Sequence, residues 1–123
     1  MIDASASVPW MKAVVRRTFS RTVIEASGDL DFSTVPIFAE DFASVKSTLS
    51  KISDPQTLVL DLRNLNFIDS SGLFLLVRIH EEMATTPHML SVVVREHSQP
   101  QRVITLDRYD KMLNVTSELD EAP

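Results

Sequence analysis

At 123 residues, 44% of them hydrophobic and 24% charged, the chain is long enough for one domain with a real core. The absence of cysteine excludes disulfides, thiol catalysis and cysteine–metal sites and fits a cytoplasmic protein, and no apolar run approaches the roughly 18 residues of a membrane span. A net charge of −5, with Arg16, Arg17 and Arg21 the nearest thing to a basic patch, argues against a nucleic-acid partner.

The opening "MIDASASVPWMK" has neither a basic start nor an apolar stretch and does not resemble a signal peptide. Residues 1–11 read as a loosely ordered lead-in and residues 117–123, "SELDEAP", as an acidic tail. "AVVRRTF" and "TVIEAS" read as two short strands joined tightly around Ser20 and Arg21. Val35, Phe38, Phe42, Val45, Leu49 and Ile52 follow at spacings of three and four, which predicts a helix with one apolar stripe. Ser33 or Thr34 can cap it, and Pro36 falls in the first turn, where its missing N–H costs little. A heptad seam would give the same spacing, but the run is short for a coiled coil, so packing on a sheet is expected.

"TLVLDL" reads as a buried strand followed by "NFI", "LFLLVRIHEEM" as a helix and "LSVVV" as a second buried strand. Ser98 with Gln101 makes a capping box for a third helix reaching about Met112, and "NVTSEL" closes the sheet. Strands alternating with helices imply an α/β layer fold with parallel neighbours, the helices on one face.

Average usage would give about 8 or 9 glycines in such a chain; this one has two, Gly28 in "SGDLD" and Gly72 in "DSSGL". Each is expected where backbone shape demands it. Neither belongs to a G-x-G-x-x-G or G-x-x-x-x-G-K-[ST] loop, so a nucleotide cradle is not expected. The segment "NFIDSSGLFLLV" places Asp69, Ser70, Ser71 and Gly72 between two apolar runs. Either serine is a preferred helix N-cap, and Asp69 suits a first turn.

"GDLD" after a hairpin, then "LVLDLRNLNFIDSSGL", then "LSVVV" and a short helix is similar to a STAS domain, over about residues 12–116. Among STAS proteins the chain most resembles bacterial anti-sigma-factor antagonists, with "FIDSSGL" the specific part. The resemblance implies a single α/β domain with a mixed, mostly parallel sheet and helices packed on it. It implies that Ser70 is a phosphoacceptor and that the kinase is the anti-sigma factor itself, a GHKL-type ATP-binding serine kinase. The unphosphorylated antagonist binds that kinase and frees a sigma factor; the phosphorylated form lets go until a phosphoserine phosphatase restores it. Asp69 then takes the place of the acid beside the phosphoserine and Asp31 that of the acid in the first loop, although Asp31 could equally shape a turn. Such a protein works without membrane insertion or cofactor, as a monomer or weak dimer. "TTPHML" and "DRYDK" depart from glycine turns common in the family.

Ser71 and Gly72 complete the expected partner-binding surface, with Phe74 and Arg78 on the following helix. Phe74, flanked by Leu73, Leu75, Leu76 and Val77, reads as buried or as an apolar anchor for the partner. Arg78 and Glu81 border that surface or form an ordinary solvated face. Alternatives of the same fold are a subunit of a membrane lipid-transport complex and a nucleotide- or small-ligand-binding module. A hydrolase is disfavoured: G-x-S-x-G is missing, nothing places His80, His88 or His97 beside Ser70, and "HEEMA" is not H-E-x-x-H.

Overall fold

In the computed structural model, residues 10–106 and 108–118 are described. The lead-in read for residues 1–9 and the acidic tail at 119–123 lie outside that range. The element order is β1 (Met11–Arg17), β2 (Arg21–Leu30), α1 (Val35–Leu49), β3 (Thr57–Ile68), α2 (Ser70–Met83), β4 (Met89–Val93), α3 (Gln99–Leu106), α4 (Tyr109–Met112) and β5 (Val115–Thr116). The sheet runs β1-β2-β3-β4-β5; β1 is antiparallel to β2 and every other neighbouring pair is parallel. This is the mixed, mostly parallel α/β sheet expected from the alternation of strands and helices.

Period-two patterning decides which face is covered. Along β2, Thr22, Ile24, Ala26, Gly28 and Leu30 are buried while their neighbours are half-buried. The buried set joins Leu58, Leu60 and Leu62 of β3 and Val92 of β4 in one core. Onto it pack Phe38, Phe42, Val45 and Leu49 of α1, Leu76, Ile79 and Met83 of α2, and Ile104 of α3. All three longer helices therefore share one face of the sheet. On the other face Val59 and Val93 form a small cluster with Val23. Nearby, Asp61 is buried beneath a bidentate bond from Arg63, both contacts at 2.9 Å.

Several elements differ from the sequence expectation. "TLVLDL" and "NFI" are one twelve-residue strand. Its pairing with β2 slips twice, between Glu25 and Ser27 and between Gly28 and Asp29, so β3 carries an extra residue at each step. Its core residues consequently change from every second position (Leu58, Leu60, Leu62) to every third (Leu65, Ile68), which hides the strand from a period-two reading. Gly28 lies inside β2 rather than in a break after it, at φ +102°, and a Cβ there would meet the Trp10 ring at 2.1 Å. Thr34 sits at the N-cap of α1, but its side chain makes no cap bond. The single third helix expected through Met112 is two helices, because Arg108 takes a left-handed conformation at φ 61°. Asp107 lies outside the described residues.

The "TTPHML" segment is anchored by His88, which is buried. Gln56 N–H donates to its Nδ1 at 3.0 Å, so the ring proton resides on Nε2 and donates to Leu49 O at 2.9 Å. One imidazole thus joins the end of α1 to the start of β3. His88→Ala removes both bonds and leaves the Gln56 N–H without its acceptor, while Leu49 O keeps the bond from Ile52 N at 3.0 Å. We expect a loss of about 1–3 kcal/mol in urea unfolding, and long-range ¹⁵N correlations of the wild-type ring should show the Nε2–H tautomer. Wild-type stability of the variant would contradict this assignment.

Candidate functional site

The junction between β3 and α2 is built by one carboxylate. Asp69, in extended conformation, is the N-cap of α2, and its Oδ1 accepts from Gly72 N at 2.9 Å. Its Oδ2 accepts from Phe32 N at 3.0 Å, across to the loop that follows β2. The cap is therefore Asp69 and neither serine, and Asp69 precedes the first turn rather than lying in it. A cap needs an acceptor at a residue with extended backbone, and only Asp69 has both.

Three further hydrogen bonds fix the same peptide segment. Asp69 N donates to Leu30 O at 3.2 Å. From the other side, Gln99 at the start of α3 takes the Ile68 N–H at 2.8 Å and donates its own amide to Ile68 O at 2.9 Å. This side chain pairs with the end of β3 beyond the last residue of β4, as a neighbouring strand would. Gly72 permits the close approach: a Cβ would lie 2.4 Å from Leu30 O and 2.7 Å from the Ile68 side chain. It is buried, so it spaces the helix from β2.

With the cap supplied by Asp69, Ser70 is the first helical residue and exposed, and Ser71 is half-buried. Among the described residues neither hydroxyl makes a hydrogen bond. Phe74 lies one turn beyond Ser70 and is 64% exposed, so the buried reading of this residue gives way to the surface one. Arg78 continues the same helix face, exposed, with Nε 3.5 Å from Glu82, which also holds Lys46 at 2.8 Å. That network draws the Glu82 carboxyl below its ordinary value, chiefly through the Lys46 bond.

Asp31 is spent on its own turn. Its Oδ1 accepts from Ser33 N at 2.9 Å, Ser33 Oγ at 2.6 Å and Thr34 N at 3.2 Å. Thr34 Oγ1 in turn donates to Asp29 O at 2.7 Å and accepts from Asp31 N at 2.9 Å. Asp31 and Asp69 share no hydrogen bond among the described residues, but Phe32, adjacent to the first, is bound by the second. The structure so brings the first loop and the start of α2 together through backbone.

Two residues at this end escaped the sequence reading. Phe32 is 81% exposed and Phe67, paired opposite Asp29 at the second slip of β3, is 42% exposed. With Phe74 they make three exposed rings on the segments that flank Ser70. An apolar residue isolated between Asp31 and Ser33 was the available signal for Phe32. Phe67 gave none, because the bulge that turns it outward is a property of the pairing.

Fold and junction together define a single α/β domain on a mixed sheet, and the chain belongs to the STAS domain family, whose model matches residues 11–122. Among solved structures it is similar to an anti-sigma factor antagonist from Mycobacterium paratuberculosis, with a TM-score of 0.80 and 26% identity over 92% of this chain and 91% of that one. It also matches Mglu at a TM-score of 0.58 and 18% identity, over 69% of this chain but 20% of that chain, a likeness of fold alone. No curated protein matches significantly. No helix among the described residues is long and apolar enough to cross a membrane.

Because Asp69 and not Ser70 is the cap, Ser70→Ala should unfold within about 0.5 kcal/mol of wild type. Asp69→Ala should lose about 0.5–2 kcal/mol for the cap alone, and Gly72→Ala about 1–3 kcal/mol for forced overpacking. Urea denaturation ranks the three, and a Ser70→Ala loss equal to that of Asp69→Ala would contradict the capping assignment.

The turn bonds, the Ser33 hydroxyl first, hold the Asp31 carboxyl below its ordinary value of 3.8. A depressed folded value means that its stabilisation is present above the unfolded value and lost as pH falls through the folded one. Carboxyl ¹³C titration should therefore place the Asp31 midpoint below 3.8, and Ser33→Ala should raise it. A midpoint unmoved by Ser33→Ala would contradict the turn.

Proposed function

We propose that this domain is an anti-sigma-factor antagonist that docks through the Ser70 end of α2 onto a GHKL-type serine-kinase anti-sigma factor and is released by phosphorylation of Ser70. The observation that carries this reading is the exposed Ser70, whose hydroxyl makes no hydrogen bond among the described residues because Asp69 performs the capping, on a helix start held from three sides. The similarity to an antagonist over nearly the whole of both chains supports it.

Docking and switching follow from the surroundings of that hydroxyl. Phe32, Phe67 and Phe74 are the apolar groups a partner would desolvate, with Arg78 at the rim. The kinase supplies ATP; Ser70 Oγ attacks the γ-phosphorus, gives up its proton, and ADP departs. The phosphoryl group adds about −1.5 to −2 charge. The helix N-terminus tolerates an anion there, so the domain stays folded. Docking does not tolerate it: a dianion at the start of α2, beside Asp69, would have to be desolvated in the interface. Release is then a local electrostatic event, reversed when a phosphatase removes the group.

Incubation with the candidate kinase and ATP should add one phosphate by intact mass, and Ser70→Ala should abolish it. Ser70→Ala should retain kinase binding, Phe74→Ala should weaken it by about 1–2 kcal/mol or more, and Ser70→Glu should weaken it in part, carrying one charge where phosphate carries nearly two. Phosphate on Ser71 instead, or equal kinase affinity of the phosphorylated and unphosphorylated proteins, would overturn the proposal.

A further inference from the structure

Away from Ser70, β1 is an edge strand whose outward side has no strand partner among the described residues. Thr18 N donates to Arg21 O and Asp29 N to Trp10 O, which fixes the ladder's phase. In an antiparallel pair the bonded positions alternate, so Lys12, Val14 and Arg16 bond inward to β2. The N–H and C=O groups of Ala13, Val15 and Arg17 point outward. Val14 and Val15 are 39% and 44% exposed, and the strand has no proline. A seven-residue edge of this kind is a template for another strand.

The side chains specify what kind of strand. Lys12, Val14 and Arg16 lie opposite Ser27, Glu25 and Val23, on the sheet face away from the helices, where Arg16 bonds Glu25. Ala13, Val15 and Arg17 lie opposite Ala26, Ile24 and Thr22, on the face towards α1. There Val15, Arg17 and Thr22 line a cleft of about 170 Å³ whose other wall is Asp41, Ser44, Val45 and Thr48. Thr22 is 1% exposed and its Oγ1 has no hydrogen-bond partner among the described residues. Burial raises the Asp41 carboxyl above its ordinary value, so this wall does not favour an acidic side chain.

We propose that β1 is a docking edge for an extended, acidic peptide segment of a partner protein, which pairs with Ala13–Arg17 as a sixth strand. Its side chains alternate between the faces. Acids fall beside Lys12 and Arg16; small aliphatic or hydroxyl side chains fall over Val15, beside the cleft that it lines. Charge selects this occupant. β1 carries Lys12, Arg16 and Arg17 and no acid, in a chain of net charge −5. Pairing of two copies through β1 would set these cations against one another, and three of them make too small a basic surface for nucleic acid.

The test is titration of the ¹⁵N-labelled full chain with a short capped peptide alternating glutamate with valine and threonine. Amide shifts should move in residues 11–17, at Thr22 and along Ser44–Thr48, and not around Ser70. Val15→Pro removes an outward N–H without touching the ladder to β2 and should weaken binding roughly tenfold or more. Val15→Thr, which keeps that N–H, should retain the binding that Val15→Pro loses. Should Val15→Pro fail to fold, a peptide N-methylated at alternate residues gives the same comparison on wild-type protein. The proposal is overturned by absence of binding at millimolar peptide, or by equal binding of the N-methylated peptide, of polyaspartate or of a short single-stranded oligonucleotide. Self-association through β1 in the peptide's absence would also overturn it.

Discussion

The second carboxylate oxygen of Asp69 is the contact on which this end of the molecule depends. One oxygen caps α2 and the other holds the Phe32 amide, so a single side chain joins a helix start to a loop 37 residues earlier in the chain. Neither bond is large alone; a cap is worth about 0.5–2 kcal/mol. Their effect is geometric. With Leu30 O on Asp69 N and Gln99 on Ile68, they leave the peptide before Ser70 with one arrangement. The same bonds relieve Ser70 of any structural task. A hydroxyl that caps a helix cannot be modified without disturbing the helix; one that follows the cap can.

Most of the fold could be read from the chain because its signals are local. The stripe from Val35 to Ile52 and the apolar segments "TLVLDL" and "LSVVV" each depend on near neighbours, and they gave α1, which ends at Leu49, the first half of β3, and β4. The errors fall where distant residues decide. The slips in β3 are set by pairing with β2, so Leu65 and Ile68 looked like a separate piece and Phe67 carried no signal. The break at Arg108 needs a left-handed residue that nothing local demanded, where glycine or asparagine would have announced it. At the site, "DSSGL" marked the right residues but not their division of labour. Asp, Ser and Ser are all good caps, and only the extended conformation of Asp69 together with the position of Phe32 chooses among them. Gln99 was legible as part of a helix start, never as a partner of Ile68.

The domain offers two surfaces of different chemistry on different elements. The Ser70 end is aromatic, with Phe32, Phe67 and Phe74 exposed, and it suits a partner whose affinity comes from excluding water. The β1 edge is basic and presents backbone groups, and it suits a partner read by charge and strand pairing. A phosphate at Ser70 changes the first surface and leaves the second chemically untouched, because β1 borders the Thr22–Thr48 cleft rather than the start of α2. If both proposals hold, two partners bind at once and only one of them responds to a phosphate at Ser70.

The central claim is that the junction stays intact while Ser70 is modified. Amide hydrogen exchange on protein carrying phosphoserine at position 70 tests it most directly, read at Gly72 and Phe32, the two amides bound by Asp69. The account predicts that both remain as protected as in the unmodified protein, with chemical-shift changes confined to residues 69–74 and the Phe32 loop. Loss of protection at either amide, with shifts spreading through β2 and β3, would mean that phosphate acts by breaking the Asp69 clamp, and would contradict the account.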